Sequence, residues 1–368
     1  MEAEVTIMEK KRSVGKRVLI ALLCLLLAVV VLVAAFLGFL TVTEYRPEDR
    51  EEMVLCGAKE TSSVSVGDEL KVLSWNIGYG ALGDNADFFM DGGEMVTTAS
   101  EARVHKNLKG ITDTIKEVDP DVALLQEVDS DSSRSYHVDE TDVMSDLFAD
   151  DMEVESLYHA CPFVPYPLPP LKEVHMNLMT LSRFGIDNAT RVQLPVPFSW
   201  PLRTANLKRC LLVTRTPLKD SDKELVFVDL HLEAYDSGEG KEAQTKMLLD
   251  VLKTEADKGN YVIAAGDFNQ RFSNVDDSMY PYQEGMWEVG LVDAKTFEPD
   301  FRLLMDPSVP TCRSLDKPYR DAAHDAFQYY MIDGFIVSKN VEVRSVKTLD
   351  KGFRYTDHNP VVLEAELA

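Results

Sequence analysis

Residues 18–42 read VLIALLCLLLAVVVLVAAFLGFLTV, an apolar run of 25 residues with no charge. As a helix it is about 37 Å long, enough to cross a hydrocarbon core of roughly 30 Å with some tilt. A cleaved signal peptide also places basic residues before an apolar core, but that core usually ends after about 7 to 15 residues. An uncleaved anchor is therefore expected. Lys10, Lys11, Arg12, Lys16 and Arg17 precede the run, while Glu44, Glu51 and Glu52 follow it with only Arg46 and Arg50. The positive-inside rule then puts the N-terminus in the cytoplasm and the rest of the chain outside, as a single-pass protein of the cell membrane. Cys24 lies within the run behind Leu23, where a lipidation site wants a small residue, and reads as a packing or lipid-facing cysteine.

This reading divides the chain into a cytoplasmic tail (1–17), an anchor (18–42), a polar, acidic stalk (43–68) and a folded domain (69–368). The whole chain has 38 Lys and Arg against 62 Asp and Glu, a net charge of -24. The first 17 residues are net basic, so the exported part is the acidic one. Such a surface disfavours gripping a nucleic acid through counterion release. Five scattered cysteines without a CxxC pair exclude a disulfide-dense miniprotein and give no sign of structural zinc. The four beyond the membrane segment are either free and buried or paired in one of three connectivities.

Strands are expected at 71–77, 122–126, 261–265, 331–337, 341–346 and 360–367, with a hairpin formed by 211–215 and 225–232. Val104, Leu108, Ile111 and Ile115 predict a helix over 103–118, stopped by Asp119-Pro120, and a second helix is expected over 242–256. Hairpins mixed with β-α-β steps argue for an α/β layered fold over a purely parallel sheet. Five prolines in 161–171 predict an extended surface loop. The Asp- and Ser-rich stretch 129–151 reads either as a loop that meets substrate or as a solvated acidic loop.

Several strands end in polar residues: Asn76, Gln126-Glu127, His231, Asp267 with Asn269, and Asp357-His358 beside the last strand. Strand ends on one rim converge, so these distant groups can build one site. Glu127, Asp357 and Asn76 offer hard oxygens, which suit Mg²⁺, Mn²⁺ or Ca²⁺ better than zinc. His231 and His358 then supply acid, base or anion-stabilising groups. Each cluster alone also reads as an ordinary strand end or turn, with Asn76 or Asp267 bonded to its own backbone and His231 a satisfied core histidine.

Taken together, LSWNIGYG, DPDVALLQEVD, VDLHLE, AAGDFNQ, MIDGF and YTDHNPV resemble, in order, the motifs of the endonuclease/exonuclease/phosphatase superfamily with its deoxyribonuclease-like fold. The stretches 79–93 and 129–137 are similar to a membrane-anchored bacterial branch of it. The resemblance implies a four-layer sandwich of two mixed β-sheets flanked by helices. It also implies phosphoester hydrolysis by in-line attack of water, without a covalent intermediate. It makes Glu127 the principal Mg²⁺ ligand (Mn²⁺ as substitute), assisted by Asn76 and Asp357. Asp267 would orient the water, Asn269 and His231 would bond the phosphoryl group, and Asp333 with His358 would form a carboxylate–imidazole pair. Asn177 would contact substrate. Two departures stand out: Gly334 follows Asp333 where the family often has Tyr or His, and Thr356 replaces a frequent Ser.

The expectation is a membrane-anchored Mg²⁺-dependent phosphoester hydrolase, a phosphodiesterase or phosphatase, acting on a small-molecule or lipid-linked phosphate ester. The alternatives are an extracellular nuclease of the same superfamily and a non-catalytic surface binding protein that retains the fold.

Overall fold

The structure, a computed structural model, describes residues 2–57, 61–148, 151–320 and 322–368, with side chains from Val14 onward. Three of the basic residues behind the orientation argument, Lys10, Lys11 and Arg12, have side chains outside the described residues, as does Asp150 of the acidic loop. Helix α1 (Glu2–Val42) contains the apolar run. Its Val14–Val42 portion is long and apolar enough to cross a membrane.

Two seven-stranded mixed sheets follow. One has the order β1 (Arg50–Glu52), β7 (Asn188–Gln193), β8 (Cys210–Pro217), β9 (Glu224–His231), β10 (Tyr261–Asp267), β16 (Asp333–Ser338) and β13 (Phe301–Leu304). The other has β17 (Val341–Thr348), β18 (Val361–Leu367), β3 (Glu69–Asn76), β4 (Val122–Asp129), β6 (Lys172–Ser182), β5 (Met152–Val164) and β2 (Cys56–Gly57). Two small ribbons, β11 (Gln270–Phe272) with β12 (Gly290–Val292) and β14 (Cys312–Arg313) with β15 (Tyr329–Tyr330), lie outside them. Each large sheet has one parallel pair, β3 with β4 and β9 with β10. Helices α2 (Glu101–Val118) and α4 (Glu239–Ala256) make those two crossovers; the short α3 (Glu140–Ser145) follows β4.

Alternation along the strands explains the layers. In β10, Tyr261, Ile263 and Ala265 face the other sheet, while Val262 and Ala264 face α4. In β3, Val72 points between the sheets and Leu73 and Trp75 point to α2. Strands buried on both faces read as continuous apolar runs, the pattern seen at 261–265. Ser100 caps α2 by accepting from Arg103 N, and Asp119 ends it with a φ of 53°.

Three expectations need correction. Residues 43–68 do not hang free as a stalk: β1 pairs with β7, β2 pairs with β5, and Val64 is buried where it bridges to Leu218. Residues 161–164 complete β5 instead of joining the proline loop. Pro162 is tolerated because it sits at a register shift where β6 is the only partner. The stretch 129–151 is neither an open loop nor solvated at its start, since Asp129 ends β4 fully buried and α3 follows. All five cysteines are free, with Cys161, Cys210 and Cys312 buried.

Phe227 lies between the sheets at 1% exposure. Phe227→Ala is expected to cost about 3–5 kcal/mol, read as a shift of the denaturant midpoint with unchanged slope.

Candidate active site

The two parallel pairs bring four strand ends to one rim. Asn76 lies opposite Gln126 at the end of β3 and β4, and His231 lies opposite Asp267 at the end of β9 and β10. Asp333, the first residue of antiparallel β16, lies opposite Asp267. His358 reaches the rim just before β18. Two local devices aim these side chains. A bulge in β4 between Leu125 and Val128 carries Glu127 at a φ of 56°, a left-handed conformation that turns its carboxylate into the cleft. Gly266, at a φ of 149°, lets β10 approach β9 so closely that a Cβ would sit 1.9 Å from the Leu230 carbonyl oxygen.

Asn76 joins the two sheets. Its Nδ2 donates to Glu127 Oε1 at 3.2 Å and to Asp267 Oδ2 at 3.1 Å, while its Oδ1 accepts from Gly78 N at 3.0 Å. Asp267 Oδ1 accepts from the Asn269 backbone at 2.8 Å, and its Oδ2 lies 3.4 Å from His231 Nε2 and 3.7 Å from His358 Nε2. His358 Nδ1 is 2.8 Å from Asp333 Oδ2, and its Nε2 is 3.9 Å from Asp357 Oδ2. Asn269 Nδ2 donates to the Leu232 carbonyl at 2.8 Å. A deeper clamp lies below: Gln126 Nε2 donates to Asp229 Oδ1 at 2.7 Å across the sheets.

Burial and mutual charge set the protonation of these groups. Burial, and then Asp357, push the Glu127 carboxyl up. Burial and Asp333 push Asp267 up to about 7. Burial, with Arg209 and His358, drives His231 well down, so its ring is neutral. Burial also opposes a proton on His358, but Asp333 and Asp357 outweigh it and hold the imidazolium well above the usual range. Of the guanidiniums that line the cleft, Arg134 pairs with Asp129 at 2.9 Å and Arg209 with Glu233 at 3.4 Å, while Arg313 is held by the carbonyls of Gly83, Ala86 and Ser314. The rim thus concentrates carboxylates, with the His358 imidazolium and Arg313 as the nearby cations, and it presents imidazole nitrogens beside the carboxylate oxygens.

Glu127, His231, Asn269, Asp357 and His358 line a cleft of about 570 Å³, with Asn76, Asp267 and Asp333 buried beneath it. Asn177 does not join them. Its Nδ2 donates to the Val128 carbonyl and to Ser130 Oγ, both at 3.2 Å, so it pins the bulge that aims Glu127. Asn76, expected as a metal ligand, instead turns its amide nitrogen to Glu127. The departures have reasons: at Gly334 a Cβ would lie 2.6 Å from the Leu304 carbonyl oxygen. Thr356 Oγ1 donates to the Asn76 carbonyl at 3.1 Å, a bond a serine would also make.

Sequence reasoning missed Tyr158, Arg134 and Arg209. The Tyr158 hydroxyl lies 3.1 Å from His231 Nδ1, a bond that orients the ring so that its Nε2 faces Asp267. Arg134 lies 3.6 Å over the Tyr79 ring in the cleft wall. The signal available for Tyr158 was the period-2 alternation that begins at 152–155, broken by the buried polar Ser156 and the outward apolar Leu157.

This geometry is that of a layered phosphoesterase. Residues 73–358 match the Endonuclease/Exonuclease/phosphatase family, and the chain belongs to it. The members of this family are phosphoester hydrolases. Among solved structures, an endonuclease/exonuclease/phosphatase from Beutenbergia cavernae is 20% identical, with a TM-score of 0.55 over 82% of this chain and 72% of that one. ANGEL2, a 2′,3′-cyclic phosphatase solved with adenosine-2′,3′-vanadate, is 14% identical with a TM-score of 0.52, over 84% of this chain and 99% of that one. A Bacteroides vulgatus endonuclease/exonuclease/phosphatase gives 14% and 0.51, over 82% of this chain and all of that one. No curated protein matches in sequence. At these identities the likeness carries the fold, not the substrate.

Tyr158→Phe removes one hydrogen bond that orients His231. It is expected to lower turnover by up to about tenfold while the thermal midpoint moves little, as loss of one positioning bond of roughly 1 kcal/mol does. Unchanged turnover would show that the hydroxyl has no positioning role.

Proposed function

We propose that the protein is a membrane-anchored hydrolase of phosphate esters, its catalytic domain outside the cell, dependent on Mg²⁺ or Mn²⁺ and working by in-line attack of water. The observation that supports it most is the convergence of Glu127, Asp357, Asp267 and the Asp333–His358 pair on one cleft floor. The donor set fits a hard divalent cation: Asp357 and Glu127 repel one another in a buried setting, and both offer carboxylate oxygens to the cleft. Glu127 and Asp357 would hold the ion, with Asn76 keeping Glu127 aimed. When bound, such an ion neutralises a phosphate oxygen and the charge growing on the leaving group.

The chain's own groups do the rest. Asp267, with its carboxyl pushed up to about 7, is placed to accept a proton from an attacking water near neutral pH. His231, neutral, and the Asn269 amide are placed to donate toward phosphoryl oxygens. His358, kept protonated by Asp333, meets the negative charge that develops as water attacks. A polyanionic nucleic acid is the poorer substrate for a chain of net charge -24, and a small or lipid-linked ester the better one.

The full chain in detergent, assayed on p-nitrophenyl phosphate and bis(p-nitrophenyl) phosphate, tests this. Mg²⁺ should support hydrolysis of at least one ester, and EDTA should abolish it. His358→Ala and Asp333→Asn should each lower turnover by about two orders of magnitude. The double variant should lose much less than the product of the two, because the pair acts as one unit. Near-normal turnover in either single variant, or fully multiplicative losses, would remove the pair from the mechanism.

A further inference from the structure

The catalytic cleft and the end of α1 share walls. Phe36, Leu37 and Leu40 line the same cleft as Glu127, Asp357 and His358. The helix is fastened there at several points. Leu40 is buried, and the Phe36 ring meets Phe163 edge-on at 6.1 Å. Trp200 Nε1 donates to Thr41 Oγ1 at 3.0 Å, and the Tyr45 hydroxyl donates to the Leu157 carbonyl at 3.2 Å. Just past the helix, Glu44 meets Arg203 at 3.2 Å and Lys208 at 3.5 Å. The cleft therefore has a fixed direction relative to the helix axis, because the chain leaving the helix is bound to the domain at once.

Helical rise sets the depth. A hydrocarbon core of about 30 Å takes about 20 residues. A span that enters at Val18 leaves the core near residue 37, which puts Leu37 and Leu40 at headgroup depth beside the cleft. Around them Tyr166, Leu168, Trp200 and Leu202 are 67%, 90%, 54% and 68% exposed. Each leaves more than half of its surface open, although Tyr166 meets Phe89 edge-on at 5.5 Å. Trp and Tyr beside a helix end are the residues that settle at a membrane–water interface. The bilayer from which α1 emerges is the apolar phase already in place to cover them.

We propose that the segments 165–171 and 199–205 seat in the leaflet that α1 leaves, and that the cleft takes the phosphoester headgroup of a membrane lipid directly from that leaflet. The lipid tails stay against Phe36, Leu37 and Leu40 while the headgroup reaches Glu127 and His358. A cleft of about 570 Å³ accommodates a headgroup, whereas the tails need not leave the bilayer. This rests on the reading of the chain as an anchored phosphoester hydrolase and names its substrate class.

The test uses the full chain reconstituted into phosphatidylcholine vesicles whose acyl chains are brominated. The fluorescence that disappears in Trp200→Phe should be quenched by the bromolipid, and Leu168→Asp should weaken that quenching. Vesicles containing phosphatidylcholine, phosphatidylglycerol, phosphatidylinositol and sphingomyelin are then assayed for headgroup or phosphate release, beside bis(p-nitrophenyl) phosphate as soluble ester. Leu168→Asp should lower release from lipid by about tenfold or more, the scale of one lost apolar insertion. It should leave the soluble ester within about twofold, because Leu168 does not line the cleft. Unquenched Trp200 in protein that resists carbonate extraction overturns the docking while the anchor stands. Protein extracted by carbonate overturns the anchor itself. Hydrolysis of the soluble ester with no release from any vesicle lipid overturns the lipid substrate and leaves the hydrolase reading intact, and hydrolysis of neither removes both.

Discussion

The amide of Asn76 ties the ends of both sheets together, donating to Glu127 on its own sheet and to Asp267 on the other. Much else in the site is arranged around that junction. Carboxylates crowded at a buried rim repel each other and lose hydration, a cost that only pairing, protonation or a cation can offset. Two of these responses are in the structure, since Asp333 pairs with His358 and Asp267 is poised to hold a proton, and the proposed function assigns the third to Glu127 and Asp357. The Gln126–Asp229 bond below repeats the inter-sheet link in a fully buried place, where it fixes the spacing of the layers.

The parts of the fold that were legible in the sequence are those in which local pattern and tertiary role agree. The strand β10 is apolar on both faces because both are buried, and α2 carries its apolar face, its serine cap and its Asp-Pro stop within a short stretch. The polar residues at the ends of β3, β4, β9 and β10 stood out because they interrupt such strands. Most of the site was therefore visible before its geometry was known. The order of the motifs, matched to a family, supplied the pairing of Asp333 with His358, which spacing alone does not give.

What escaped has physical reasons. Strand β5 buries the polar Ser156, turns Leu157 outward and carries Pro162 at a register shift, and these hide the alternation that Glu153 and Glu155 begin. Tyr158 therefore went unseen, although it orients His231. The segment 43–68 is acidic and weakly patterned because its short strands border the sheets, where backbone pairing matters more than side-chain burial. Asn177 sits on β6, and whether its amide meets substrate or braces a bulge depends on the register of β4 against β6. Asn76 likewise offers an oxygen in the sequence and a nitrogen in the fold.

If the rim is built to receive a divalent cation, the cation should bind there without any substrate. Isothermal titration of the full chain with Mn²⁺ measures this directly. The account predicts about one ion per chain at the rim, with affinity lost in Glu127→Gln, which keeps the shape of the side chain and removes its charge. The same affinity should persist in His175→Ala, which alters a separate, partly exposed group made with Asp131 and Glu173. Absence of binding in the wild-type chain, or binding that Glu127→Gln leaves unchanged, would contradict the account.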